Sequence, residues 1–216
     1  PLVLGIGSDE AFLASDVPAI LPYTNKVVYL IDGDIVSVKS GKARVFDADG
    51  NEKDQNVEIV PWSIHDAEKG GYDHYMLKEI YEQPQAIRDS LIGRVDLMEE
   101  PWFLRKVRCI RIVGCGTSYH AALAGKTIFE QRLNIPVIAE IASEYRYAPD
   151  IKDDALSVFI SQSGETADTV AAARKAKMLG METIAICNVL GSSLTRDVRK
   201  KVFTQAGPEV GVAATK

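Results

Sequence analysis

The sequence lacks the features that would point to a membrane or to nucleic acid. No apolar run comes close to the ~18 residues that a membrane-spanning helix needs, so we expect no membrane partner. Positive charge is not in excess either, because 25 lysines and arginines stand against 30 aspartates and glutamates, for a net charge of -5. Nucleic-acid-binding proteins usually carry the opposite balance, so nucleic acid is not expected as a partner.

Cysteine is also scarce. The chain has three cysteines, Cys109, Cys115 and Cys187, and their spacing matches no zinc site. The number is odd, and two of the three lie in apolar segments of strand character. These features indicate reduced thiols of a cytoplasmic protein rather than a disulfide framework, and they give no reason to expect a metal or another cofactor.

The acidic residues are unevenly distributed, which suggests a domain boundary. Residues 1–60 hold ten acidic and five basic side chains, and this leaves 20 of each sign for the rest of the chain. In 1–60, short apolar segments alternate with Asp-Gly pairs at 32–33 and 49–50, a pattern typical of β-hairpins. The few short strands predicted here are too little sheet to close on itself. We therefore predict that residues 1–60 are the C-terminal part of a larger β-rich domain.

Residues 61–100 are predicted to form a linker with leading helices. The helical pattern over 75–91 contains Pro84, which is expected to split it into two pieces because proline lacks an N–H and clashes with the preceding turn. The polar side chains His65, Lys78 and Glu82 are interpreted as solvated surface.

Residues 101–216 are predicted to form a second domain of α/β type. Apolar strands are expected at 110–113, 137–139, 155–161, 183–187 and 201–204, with helical patterns between them. Continuous apolar strands that alternate with helices indicate a doubly wound parallel sheet. Ligands of such sheets bind beyond the carboxyl ends of the strands.

The most informative segment is residues 161–166, Ser-Gln-Ser-Gly-Glu-Thr, which joins a predicted strand to a predicted helix. A helix N-terminus offers unpaired N–H groups and the positive end of the helix dipole, so the expected ligand is a phosphate. The loop contains no lysine or arginine, which suits a small sugar phosphate that must be released. The alternative is helix capping with Ser163 as the N-cap, but one hydroxyl would suffice for that.

A second loop of this kind, Gly114-Cys115-Gly116-Thr117-Ser118, follows an earlier strand. It could begin a dinucleotide fingerprint, with Glu140 as the ribose ligand. Tyr119 occupies the position where that fingerprint needs its third glycine, so the match is incomplete. Two hydroxyl-rich loops at strand ends instead predict one shared pocket, which Cys115 lines.

These segments resemble a known family. Residues 114–118, 161–169 and 207–216 resemble the SIS (sugar isomerase) domain. Residues 75–84, Tyr-Met-Leu-Lys-Glu-Ile-Tyr-Glu-Gln-Pro, resemble the linker of the glutamine–fructose-6-phosphate aminotransferase family, and residues 1–16 resemble the late part of its glutaminase domain. The resemblance implies an α/β fold in which a doubly wound parallel sheet follows a β-rich remnant of an N-terminal-nucleophile glutaminase domain.

The resemblance also implies an activity. Enzymes of this family transfer ammonia from glutamine to fructose 6-phosphate, and they form glucosamine 6-phosphate and glutamate. Their cysteine nucleophile, general base and Schiff-base lysine have no counterpart in this chain, so no catalytic residue is assigned. The chain is expected to be a fragment that needs the other parts of the same enzyme, within a homo-oligomer.

By the same resemblance, this chain supplies ten substrate-binding residues. The phosphate would be held by Ser118, Ser161, Gln162, Ser163 and Thr166. The sugar would lie against Cys115, Gly116, Thr117 and the backbone of Val212 and Ala213. Ala214 replaces the serine that is usual in the family. Two other functions remain open at this point, a non-catalytic SIS sugar-phosphate sensor and a nucleotide-dependent oxidoreductase.

Overall fold

The structure, a computed structural model, describes residues 2–60, 68–92, 107–150, 154–211 and 213–216. The chain divides into two compact units, Pro1–Tyr75 and Met76–Lys216. Among the described residues, no helix is both long enough and apolar enough to cross a membrane.

The first unit consists of short antiparallel strands. They are β1 (Val3–Ile6), β2 (Ala11–Ala14), β3 (Lys26–Tyr29), β4 (Ile35–Lys39), β5 (Lys42–Phe46), β6 (Glu52–Lys53) and β7 (Glu58–Ile59), with a 3₁₀ turn at Val17–Ala19. They form two sheets, one in the order β2-β1-β3-β7 and one in the order β4-β5-β6. Successive residues of a strand face opposite sides, so Val3 packs with Val17 and Ile20, whereas Leu4 packs with Val45 of the other sheet.

One of the two predicted hairpins is present and the other is not. The turn at 49–50 joins β5 and β6, which pair antiparallel. The turn at 32–33 instead connects the two sheets, because β3 pairs with β1 and β7 while β4 pairs with β5. The hairpin that the sequence prediction missed joins β4 to β5 through Ser40 and Gly41, both of which have positive φ.

The second unit confirms the predicted α/β fold. Its elements are α1 (Tyr75–Leu91), β8 (Ile110–Gly114), α2 (Thr117–Leu133), β9 (Val137–Ile141), α3 (Ala142–Tyr147), β10 (Leu156–Ser161), α4 (Ala167–Met178), β11 (Glu182–Cys187), α5 (Ser193–Arg196) and β12 (Lys200–Phe203). The five strands are all parallel, in the order β9-β8-β10-β11-β12.

Helices cover both faces of this sheet. On one face, Val113 and Phe159 pack against α3 and α4 in one core. On the other face, Ile112 and Val158 pack with Ala122 of α2. The helices that follow the adjacent strands β8 and β10 therefore lie on opposite faces, which makes the gap between these two strands the switch point where such sheets bind ligands.

Helix α1 corrects two expectations. It is one helix that runs through Pro84, although proline lacks an N–H and crowds the preceding turn. Lys78 is not solvated surface: it is 8% exposed and forms an ion pair with Glu82 at 3.4 Å. His65 lies outside the described residues.

Candidate functional site

The two hydroxyl-rich loops emerge side by side. Gly114 of β8 is in register with Ile160 of β10, so the loops that follow these strands begin at the same edge of the sheet. The Thr169 hydroxyl, in the first turn of α4, lies 3.9 Å from Cys115 Sγ in the other loop. The structure thus brings together the two loops that the sequence predicted to share a pocket.

In the first loop, glycines allow a tight turn into α2. A Cβ on Gly114 would lie 3.1 Å from Ser118 Cβ, so glycine lets the helix start pack closely against the end of β8. Gly116 is the N-cap of α2 and has φ +54, and no side chain caps the helix. Gly116 and Thr117 are exposed, whereas Cys115 and Ser118 are half-buried.

In the second loop, two serines brace the backbone. The Ser161 hydroxyl, which is 3% exposed, accepts a hydrogen bond from Gly164 N at 3.1 Å and lies 3.3 Å from the Thr166 hydroxyl. The Ser163 hydroxyl accepts a hydrogen bond from Glu165 N at 3.2 Å. The two bonds curl the loop so that it closes over the start of α4.

The capping alternative for Ser163 is wrong. The N-cap of α4 is Thr166, and its side chain forms no capping hydrogen bond. The acidic residue of that turn, Asp168, is paired with Arg146 at 3.0 Å. The N–H groups of a first helical turn have no partner within the helix, and they carry the positive end of its dipole. In α2, however, Ser118 N and Tyr119 N already donate to the carbonyls of Cys115 and Gly116. Both helix starts present the partial charge that favours an anion, and α4 presents the better set of donors.

The second loop rests on residues that the sequence analysis did not assign to the site. Cys187 Sγ lies 3.5 Å from the carbonyl oxygen of Gln162, and burial raises the pKa of the Cys187 thiol. The Glu165 carboxylate accepts a hydrogen bond from Ser193 N at 2.8 Å. Ser192, the N-cap of α5, lies beneath Gly164. These contacts hold the loop in one conformation.

Asn188 connects this loop to the C-terminal segment, residues 204–216. Its backbone N–H donates to the carbonyl of Gln162 at 3.0 Å, and its side-chain oxygen accepts from Ala206 N at 2.8 Å. Its side-chain amide donates to the Gly207 carbonyl at 2.7 Å. The sequence signal was its position directly after β11, at the carboxyl edge of the sheet.

The remaining predicted residues lie in the C-terminal segment. Val212 lies outside the described residues, and Ala213 is exposed. The segment is tied to α1 at Val210 and Gly211, whose N–H groups donate to Glu79 Oε1. In the described part of the chain, no hydrogen bond or ion pair joins Ala213 to the two loops.

Glu140 does not support a ribose site. Its carboxylate oxygen lies 2.8 Å from Nε of Arg111 in the neighbouring strand, a partly buried ion pair. Within the described ranges, no three His, Cys, Asp or Glu side chains are grouped so that they could hold a metal ion.

Comparison with known proteins places the site in context. The family model of the SIS domain matches residues 103–216. The whole chain is 52% identical to a glutamine–fructose-6-phosphate aminotransferase (isomerizing) of Methanothermobacter thermautotrophicus and 48% identical to one of Pyrococcus horikoshii, and it covers 36% and 37% of these proteins. The chain thus spans little more than a third of their length.

A solved structure agrees with these relatives. The C-terminal domain of a glucosamine-fructose-6-phosphate aminotransferase from Francisella tularensis is 42% identical, with a TM-score of 0.61. The alignment covers 69% of this chain and 44% of that one.

Proposed function

This chain belongs to the SIS domain family, and from that premise we propose that it carries the sugar-phosphate-binding part of a larger enzyme. The enzyme would make glucosamine 6-phosphate and glutamate from fructose 6-phosphate and glutamine. In this proposal, residues 1–60 are the end of a glutaminase domain, residues 61–100 are the linker with its leading helices, and residues 101–216 are the first SIS domain.

The observation that carries the proposal is the pair of uncapped helix N-termini on neighbouring strands. Helices α2 and α4 begin side by side at the switch point, and neither has a side-chain cap. One phosphate between them would accept from the first turn of α4 and would lie at the positive ends of both helix dipoles. The hydroxyls of Ser118, Ser163 and Thr166 add neutral donors around it.

Ser161 is proposed as a further phosphate ligand. Its oxygen accepts from Gly164 N, so its own proton can be donated to a phosphate oxygen or to Thr166. The Gln162 side chain would complete the group. Because no cation takes part, the phosphate would be held firmly enough to orient the sugar and loosely enough to leave with the product.

The choice of an aminotransferase over a non-catalytic sensor rests on the first unit. The aminotransferase relatives match the whole chain, including residues that precede the SIS domain. The catalytic groups are proposed to lie in the rest of the enzyme, so this fragment alone would be inactive.

Calorimetric titration of the full-length enzyme with fructose 6-phosphate tests the phosphate site. We expect Ser163→Ala and Thr166→Ala each to weaken binding about tenfold or more, because a hydrogen bond to a charged group contributes about 1.5–3 kcal/mol. Thr127→Ala is the matched control, since the Thr127 hydroxyl lies within 3.5 Å of the Leu123 carbonyl in the middle of α2.

Three outcomes would count against the proposal. Wild-type affinity in both loop variants would refute the phosphate site. Tight binding of fructose 6-phosphate without formation of glucosamine 6-phosphate from glutamine would favour the sensor. Saturable binding of NADH in a fluorescence titration would favour the oxidoreductase.

A further inference from the structure

A buried carboxylate on α1 grips the C-terminal segment. Glu79 is 2% exposed, and its Oε1 accepts hydrogen bonds from two consecutive backbone amides, Val210 N at 2.7 Å and Gly211 N at 2.9 Å. A hydrogen bond to a charged group is stronger than one between neutral groups, so this bridge fixes the backbone firmly. We refer to Glu79 and these two amides as the carboxylate clamp.

The clamp is built around a glycine. A Cβ on Gly211 would overlap Oε2 of Glu79, so any other residue at 211 would push the carboxylate away. Oε2 itself is buried and has no hydrogen-bond partner among the described residues. Burying a carboxylate oxygen without a hydrogen-bond partner costs free energy. An apolar side chain at position 79 would pack the helix against the segment without that cost, so packing alone does not explain a glutamate here.

Two lysines near the carboxylate clamp are engaged by another glutamate of α1. Lys78 and Lys216 both pair with Glu82, one turn further along α1. The adjacent carboxylate of Glu209 makes a second grip on the segment, because its Oε1 accepts from Thr215 N at 2.6 Å and from Lys216 N at 3.2 Å. The segment is therefore held by carboxylates on both sides of Ala213.

We infer that Glu79 is a positioning residue for the sugar end of the substrate. The inference rests on the proposed function, which puts the backbone of this segment against the sugar of fructose 6-phosphate. Asn188 anchors the start of the segment to the loop at 161–166, and the carboxylate clamp fixes the position of the backbone at residues 210 and 211. Glu79 does not touch the substrate; it acts through the backbone that it holds.

Binding of two ligands to the full-length enzyme separates this role from a general loss of structure. Inorganic phosphate reports on the two loops alone, whereas fructose 6-phosphate reports on the loops and the segment. We expect Glu79→Ala to weaken binding of fructose 6-phosphate about tenfold and to leave the Kd of inorganic phosphate within about twofold. Glu79→Gln retains an acceptor for both amides, and we expect it to restore most of the affinity.

The control is Glu130→Ala. The Glu130 carboxylate also accepts a hydrogen bond from a backbone amide, that of Val137 at 3.2 Å. Val137 begins β9, so this bond lies at the amino ends of the strands, whereas the two loops follow their carboxyl ends. This variant should bind both ligands as the wild type does. If Glu79→Ala does not fold, Gly211→Ala provides the same test, because its methyl group displaces the carboxylate.

The outcomes distinguish the inference from the proposed function. If Ser163→Ala weakens binding of fructose 6-phosphate but Glu79→Ala and Gly211→Ala do not, the clamp has no positioning role and the phosphate site stands. A parallel loss of both ligands in the Glu79 variants would show a merely structural role and would also overturn the inference. If the loop variants have no effect, the proposed function itself fails.

Discussion

Gly164 lies directly against the side chain of Ser192. A Cβ built on Gly164 would overlap the Ser192 hydroxyl and would lie 2.8 Å from Cys187 Sγ, and Gly164 has φ +68. The loop at 161–166 can thus close onto α5 only because this residue has no side chain. The contact joins the loop after β10 to the loop after β11, so the shape of the site depends on two adjacent strands.

This contact predicts a difference between two glycine substitutions. Gly164→Ala adds a steric overlap to the cost of a left-handed backbone, so we expect a destabilisation of about 2–4 kcal/mol. Gly116→Ala is the matched comparison, because Gly116 also has positive φ but a Cβ there meets nothing within 4 Å. It should cost only about 1 kcal/mol. Thermal unfolding of the intact protein, followed by circular dichroism, measures the stability of both variants. Equal destabilisation in the two variants would show that the steric overlap at residue 164 is relieved.

The hydrogen bonds of Asn188 predict a coupling between the loop at 161–166 and the C-terminal segment. Asn188→Ala removes the acceptor for Ala206 N and the donor to the Gly207 carbonyl, and Ala206 is buried. A buried group left without its partner costs about 1–3 kcal/mol, so the variant should unfold at lower temperature. Amide hydrogen exchange of the intact protein should show faster exchange at residues 204–211 than in the wild type.

The control for this prediction is Asn134→Ala, which alters an exposed asparagine just after α2. Faster exchange confined to the turn after α2 is expected there. If Asn188→Ala left exchange at 204–211 unchanged, the hydrogen bonds of Asn188 would not hold the segment.

Tyr29 predicts an alkaline titration that depends on folding. Burial raises the pKa of its phenol to about 12, and the negative charges of Glu58 and Asp16 add to the effect. The ordinary tyrosine pKa is about 10, so the unfolded chain releases this proton first. The contribution of the Tyr29 phenol to the free energy of unfolding is therefore fully present below about pH 10, and it is lost as the pH rises from 10 through 12.

The measurement is the absorbance of ionised tyrosine, compared between the wild type and Tyr29→Phe. The difference between the two titrations should have its midpoint near pH 12 in the folded protein and near pH 10 in denaturant. A midpoint near 10 under both conditions would mean that Tyr29 is not buried in the folded protein.

The second unit was predictable from sequence because its signals are local. Apolar runs such as residues 155–161 and 183–187 need two covered faces, and parallel strands with helices on both sides are the fold that provides them. The loops at 114–118 and 161–166 could be placed for the same reason, since each follows a strand and so reaches the carboxyl edge of the sheet.

Where the predictions were wrong, long-range packing outweighed a local signal. Pro84 usually ends a helix, yet α1 continues because the helix is held along its length: Glu79 grips the C-terminal segment and Ala86 is buried. The Asp-Gly pair at 32–33 is a hairpin signal, but the strands on its two sides belong to different sheets. Lys78 has the residue type of a surface position, but it is buried in the folded chain, where it pairs with Glu82.

The two candidate loops could be located from sequence, because a hydroxyl-rich segment between a strand and a helix reaches the carboxyl edge of a parallel sheet. Which distant residues support these loops depends on how the whole chain folds. Glu79 and Val210 are 131 positions apart, and the hydrogen bond between them exists only because the chain returns to α1 after crossing the whole sheet. A local pattern specifies backbone conformation, whereas contacts of this kind depend on how the completed elements pack.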